Sequence, residues 1–285
     1  MATAQITPQT GFAHLTDLPC FRLQLGNATA VIAAYGAQVL SYCPHPQQDT
    51  LWLSPKATWH NNTAIRGGVP ICWPWFGPVN PAFNPHHQAL PNHGLVRNRI
   101  WQFHSQQISH NSLSLTLSIT VNDLPHVSGD VQLLFTITLT TQQLQLQLHS
   151  EQPVLQQAAL HSYFHTGNIH HTTVQQLPAV YQDKVKGITV QNAGADLTVS
   201  EEIDRIYPQP AAELAIRTPG HKLLLTQQGQ DSAIVWNPWQ DRSRQLADLA
   251  DDAYLEFICV ETARLSLQKP EPLNLSQTIT ATLVL

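Results

Sequence analysis

The sequence predicts an all-β protein, a sandwich or barrel of antiparallel strands with very little helix. Three observations carry this. Apolar and polar residues alternate with period two in several segments, helical periodicity is nearly absent, and Pro and Gly clusters separate many of the segments. Alternation marks a strand with one buried and one wetted face. Many such strands with little helix pack sheet on sheet or close into a barrel.

The elements follow in chain order. Residues 1 to about 12 read as a loose arm by composition. Short strands are expected over Phe21 to Leu25, Ala30 to Ala33 and Gln38 to Tyr42. From Leu113 the text LSLTLSITV puts Leu113, Leu115, Leu117, Ile119 and Val121 on one face. From Val131, VQLLFTITLT does the same with Val131, Leu133, Phe135, Ile137 and Leu139, and LQLQL follows at Leu144, Leu146 and Leu148. The run VLQQAALHSYF reads as a strand on which His161, Tyr163 and His165 share a face. Further strands are expected over Lys222 to Thr226, Ser232 to Trp236 and Tyr254 to Val260, with one short helix around Arg242 to Leu249. The last strand alternates through Ile279, Ala281, Leu283 and Leu285. No linker or repeat interrupts the pattern, so residues 1–285 read as a single domain. A chain of this length buries a sizeable core without disulfides or metals.

Composition narrows the function. Charged residues make up only 12 %, against roughly 25 % in ordinary soluble domains; the wetted faces carry Ser, Thr and Gln instead. The net charge of −5 argues against a nucleic-acid or anionic-membrane surface, which needs a basic excess. Cys20, Cys43, Cys72 and Cys259 are scattered without CxxC pairing, so neither a zinc site nor a disulfide scaffold is expected. The spacing of His161 and His165 suits a metal only on a helix. No Gly-rich phosphate loop with a following Lys is present. The N-terminal text lacks a basic start with an apolar run, and no stretch approaches the ~18 apolar residues of a membrane helix. The expectation is a cytoplasmic, reduced monomer with no metal, no cofactor and no nucleic-acid or membrane partner.

Four segments are not generic. IRGGVPICWPWFG, Ile65 to Gly77, reads either as a tight turn with buried aromatics or as the wall of a sugar site with Arg66 as donor. LPNHGLVRNRIW, Leu90 to Trp101, carries His93 and Arg97 on a loop marked by Gly94 and Pro91. LHSYFHTGNI, Leu160 to Ile169, carries His161. In YLEFICVETA, Glu261 closes an apolar run; it is either a solvated strand end or a base whose pKa the apolar surroundings raise.

These segments, in this order and joined by DRIY at Asp204 to Tyr207 and VWNPW at Val235 to Trp239, resemble the aldose 1-epimerase, or galactose mutarotase-like, superfamily. Within it they resemble the hexose-6-phosphate mutarotase branch. The resemblance implies a large antiparallel β-sandwich with the sugar in a cleft on its concave face. It implies His161 and Glu261 as the acid–base pair, and Arg66, Asn92, His93, Arg97 and Asp204 lining the substrate site. The reaction would interconvert the α and β anomers of a sugar phosphate by ring opening and closure, Glu261 ionised as the base and His161 protonated as the acid. Arg66 and Arg97 would hold the phosphate, with Trp75 and Trp239 as aromatic walls. Two alternatives stay open: an aldose 1-epimerase acting on free hexoses, and a non-catalytic carbohydrate-binding protein on the same fold.

Overall fold

The computed structural model describes residues 4–283. Leu285 and the first three residues of the expected arm lie outside them. The first four strands are β1 (Ala4–Phe12), β2 (Leu15–Leu25), β3 (Ala28–Ala33) and β4 (Val39–Cys43). Next come β5 (Ile71–Cys72), β6 (Gln102–Ile108), β7 (Leu113–Val121), β8 (Val131–Leu139) and β9 (Gln143–Val154). The middle of the chain is β10 (Ala158–Leu160), β11 (Tyr163–His165), β12 (Thr173–Gln175), β13 (Tyr181–Asp183), β14 (Ile188–Val190), β15 (Leu197–Thr198) and β16 (Ile203–Pro208). The last elements are β17 (Glu213–Arg217), β18 (His221–Gln228), β19 (Ser232–Asn237), α1 (Trp239–Gln245), β20 (Phe257–Arg264) and β21 (Glu271–Leu283).

These strands form three antiparallel sheets. β1 to β4 make a four-stranded sheet in sequential order. A nine-stranded sheet runs β15-β12-β17-β18-β21-β9-β8-β7-β6. An eight-stranded sheet runs β14-β13-β16-β19-β20-β10-β5, with β11 also paired to β20. The main core lies between the two large sheets. Leu113, Leu115 and Leu117 of β7, Val131 to Leu139 at alternate positions of β8, and Leu144, Leu146 and Leu148 of β9 meet Ala233, Val235, Ile258 and Val260 of the eight-stranded sheet. All are essentially sealed from solvent. The period-two reading of these strands therefore names the core residues directly. It also frees the opposite face of the eight-stranded sheet, where Ile234, Trp236 and Glu261 lie, for a cleft.

Four expectations need correction. Residues 4–12 are not loose: β1 pairs along β2 from Ala4 opposite Leu25 to Phe12 opposite Leu15. Pro8 hides the strand in the sequence, yet β1 is an edge strand, where a missing N–H is tolerated, and the pairing shifts register around Gly11. The helix begins three residues before Arg242, at Trp239, whose N–H donates to Asn237 Oδ1 (2.9 Å). It stops at Gln245, so Leu246 and Leu249 pack through turns rather than a helical face. The strand expected through His161 is broken into β10 and β11, and β20 starts only at Phe257, after a 3-10 turn over Ala253–Leu255.

Candidate active site

The eight-stranded sheet sets the site out in rows. Ile206 pairs with Ile234, and Ile234 with Glu261. On the far side of β20, Leu160 lies opposite Thr262 and Tyr163 opposite Cys259. The register is unbroken across the gap, so His161 stands directly opposite Glu261. The ladder breaks there because the His161 N–H donates to the Pro70 carbonyl instead (3.0 Å). Cross-strand neighbours bring side chains together, and His161 Nε2 sits 3.3 Å from Glu261 Oε1. Alternation along β20 faces Glu261 into the cleft while Val260 enters the core.

Both side chains are buried, at 8 % and 1 % exposure. Burial, reinforced by Asp204 and opposed by Lys184, holds the Glu261 carboxyl well above its usual range. Burial, then His93, Arg66 and Arg97, holds the His161 imidazole well below its own. Both directions favour the uncharged forms, as desolvation dictates. The Tyr163 ring stacks on His161 at 5.0 Å and 11°, which fixes the imidazole plane.

The loop carrying His93 is shaped by its neighbour. Gly94 has φ +81°, and a Cβ there would overlap the Trp73 carbonyl. Only glycine lets the loop lie this close to the Trp73–Pro74 segment. His93 itself sits at φ +63°, a conformation that costs a non-glycine residue roughly 1–2 kcal/mol. Its Nδ1 accepts from the Gly77 N–H (3.3 Å) and lies 3.4 Å from the Cys72 thiol. That engages Nδ1 as acceptor and leaves Nε2–H as the donor. Burial first, then Arg97, Lys184 and Arg66, pushes His93 down to about 3. His93 is thus a neutral hydrogen-bond donor across the working pH range. Linkage follows from the sign: the unfolded chain takes up this proton near pH 6.5, whereas the folded chain waits until about 3. Stability should fall as pH drops from 6.5 towards 3, and denaturant titrations of His93→Asn should show a flatter decline over that window.

The expected acid–base pair and the five expected substrate-site residues line one cleft of about 540 Å³: Arg66, Asn92, His93, Arg97, His161, Asp204 and Glu261. The two arginines differ, however. Arg66 is already occupied, its Nε on Asp248 Oδ2 (3.0 Å) and its Nη1 on the Tyr163 hydroxyl (2.9 Å). Arg97 donates only to the Asn92 carbonyl (3.0 Å). Among the described residues, no carboxylate pairs with Arg97. Lys184 pairs with Asp204 (3.3 Å) and Arg242 lines the rim.

Sequence reasoning missed Phe76, Lys184, Trp236 and Arg242 in this lining. Trp236 was within reach, since it shares a face with Ile234 on β19. The expected walls Trp75 and Trp239 do not line the cleft: Trp75 is sealed in the core with its indole N–H on the Pro91 carbonyl, and Trp239 packs on His170 and Tyr254. His165 lies elsewhere, in a second cavity of about 590 Å³ with His45, Asp49 and His221. That cavity is larger but has no Lys or Arg in its lining and no paired acid and base.

Such a buried carboxyl–imidazole pair under sugar-sized space can be compared with known proteins. The aldose 1-epimerase family model matches residues 19–280. An Escherichia coli (strain K12) protein bearing the name "putative glucose-6-phosphate 1-epimerase" is 32 % identical, over 96 % of this chain and 94 % of its own. The crystal structure of a Salmonella typhimurium protein described as a "putative mutarotase" superposes with a TM-score of 0.87 at 28 % identity, covering 98 % of this chain and 97 % of the other. The galactose 1-epimerase of Lactobacillus acidophilus NCFM shares the fold at a TM-score of 0.77 and 13 % identity, over 99 % of both chains. With the family match running from β2 into β21, the chain belongs to the aldose 1-epimerase family.

Proposed function

We propose that the protein interconverts the α and β anomers of a hexose 6-phosphate, glucose 6-phosphate foremost, and that residues 1–285 act as one domain. The observation that carries this is the His161–Glu261 contact on the floor of a cleft with cationic walls. Ring opening needs a base at the C1 hydroxyl and an acid at the ring oxygen. Glu261 takes the O1 proton, His161 gives its proton to O5, and the ring opens to an aldehyde. The C1–C2 bond turns. On closure His161 takes the O5 proton back, and Glu261 returns one to O1 on the other face.

The charge layout orients the sugar. Arg66, Arg97 and His93 surround the His161 side, whereas Asp204 and Lys184 act on Glu261. O5 belongs beside His161, and C6 hangs from C5, the neighbour of O5. A phosphate on C6 therefore meets Arg97, while Arg66 stays on Asp248 and Tyr163 and Asp204 takes sugar hydroxyls. The dianion also offsets the two guanidiniums that add to burial in lowering the imidazole's pKa, so the substrate itself helps to charge the acid. Names of relatives support the same substrate class.

Magnetisation-exchange NMR on glucose 6-phosphate, with and without protein, tests the reading. The protein should accelerate α/β exchange and do so far more for glucose 6-phosphate than for glucose. Equal acceleration of both sugars would remove the phosphate assignment, and none on either would remove the catalytic one.

A further inference from the structure

Behind the acid–base pair, on the core side of the sheet, lies a polar chain in an otherwise aliphatic interior. Ser162 follows His161 and Thr262 follows Glu261, so alternation turns both inward. Between them stands Gln277 of β21, from the opposite sheet. All three are fully buried, and Gln227 of β18, next in the chain, is 2 % exposed. Ser162 Oγ donates to Gln277 Oε1 (2.6 Å). Gln277 Nε2 donates to Thr262 Oγ1 (2.9 Å) and to the Val260 carbonyl (3.3 Å). Thr262 Oγ1 donates onward to Gln227 Oε1 (2.8 Å), whose Nε2 donates to the Ala211 carbonyl (3.2 Å). The donors run in one consistent direction, and each amide oxygen and nitrogen of Gln277 is satisfied.

The network sits where regular pairing fails. His161 and Ser162 fall between β10 and β11, and the link to β20 there is a single backbone bond from the Val260 N–H to the Ser162 carbonyl (3.2 Å). We propose that Gln277 is a positioning residue: it ties the residue after His161 to the residue after Glu261 from behind, and so sets the separation of the acid and the base. Aliphatic residues would fill the same interior without the demands of buried polar groups, but nothing apolar would tie these two backbones at the strand break. The inference rests on His161 and Glu261 being the catalytic pair.

The test uses Gln277→Leu and the triple variant Ser162→Ala/Thr262→Val/Gln277→Leu. The single variant strands the Ser162 hydroxyl in the core and should unfold earlier; the triple variant removes both hydroxyls, leaves only Gln227 Oε1 without its donor, and should recover part of the stability. Both should lose kcat for glucose 6-phosphate by about 10- to 100-fold, the scale of an ångström of misplacement. KM should stay within about twofold, because Gln277 is remote from the phosphate contacts. Recovery of kcat together with stability in the triple variant would make the network structural only and overturn the proposal, as would a folded Gln277→Leu protein with wild-type kcat. If His161→Ala and Glu261→Gln retain activity, the catalytic reading fails instead, and the two failures are told apart.

Discussion

His161→Ala and Glu261→Gln each slow α/β exchange of glucose 6-phosphate by about 10²–10⁴-fold, the range for removing a positioned acid or base. Folding should survive both changes. His161 Nδ1 and Glu261 Oε2 have no partner in the buried site, so each substitution breaks little beyond the mutual contact. Glu261→Gln keeps the shape and replaces a carboxyl whose pKa burial raises, so it adds no charge to the buried site. The loss should lie in kcat, since neither group meets the phosphate in the proposed orientation. The double variant should be hardly slower than the worse single one, because an acid without its base is idle. Circular dichroism establishes the fold and exchange NMR the rate. Near wild-type exchange in either folded variant would refute the assignment, and fully additive losses would mean that the two groups act in separate steps.

Arg97→Ala lowers kcat/KM for glucose 6-phosphate by about one to two orders of magnitude and leaves free glucose nearly untouched. A charge-assisted hydrogen bond contributes about 1.5–3 kcal/mol, and ~1.4 kcal/mol is tenfold. The loss should fall mainly on KM, because the phosphate is held alike before and during ring opening. The structure makes Arg97 the discriminating choice. Among the described residues its only side-chain hydrogen bond is to the Asn92 carbonyl, so its removal strands no buried charge. Arg66→Ala would strand Asp248 and free the Tyr163 ring that stacks on His161, and should depress both sugars together. Steady-state kinetics on the two sugars checks the contrast; an equal loss from Arg97→Ala would make that arginine structural.

The sheets were legible because their two faces differ. Leu113 to Val121 alternates without interruption; Leu113, Leu115, Leu117 and Val121 are buried core, and Ile119 packs partly buried against it. β1 was hidden because Pro8 and Gly11 mark a break in a sequence but an edge and a bulge in a sheet. The site's lining was legible where it lies in the motif strings, but the bonding inside it was not. Arg66 and Asp248 are 182 residues apart, and no local pattern pairs them. Lys184 and Arg242 sit outside the strings that drew attention to the site. Charge scarcity was the available signal: of only 14 Lys and Arg in the chain, Arg66, Arg97, Lys184 and Arg242 line this cleft. The pKa shifts of His161 and Glu261 were only partly within reach, since they depend on how completely two facing strands exclude water.

The contact between His161 and Glu261 has a bearing on what the catalyst leaves behind. Ring opening and ring closure each pass a proton between sugar and protein, and the second undoes the first. A protein that ends each cycle as it began cannot bias the anomer ratio, whatever protons it trades with the medium along the way. The molecule behaves as a pivot: it shortens the wait for an equilibrium that the sugar alone decides, and serves with equal readiness whichever anomer is drawn off.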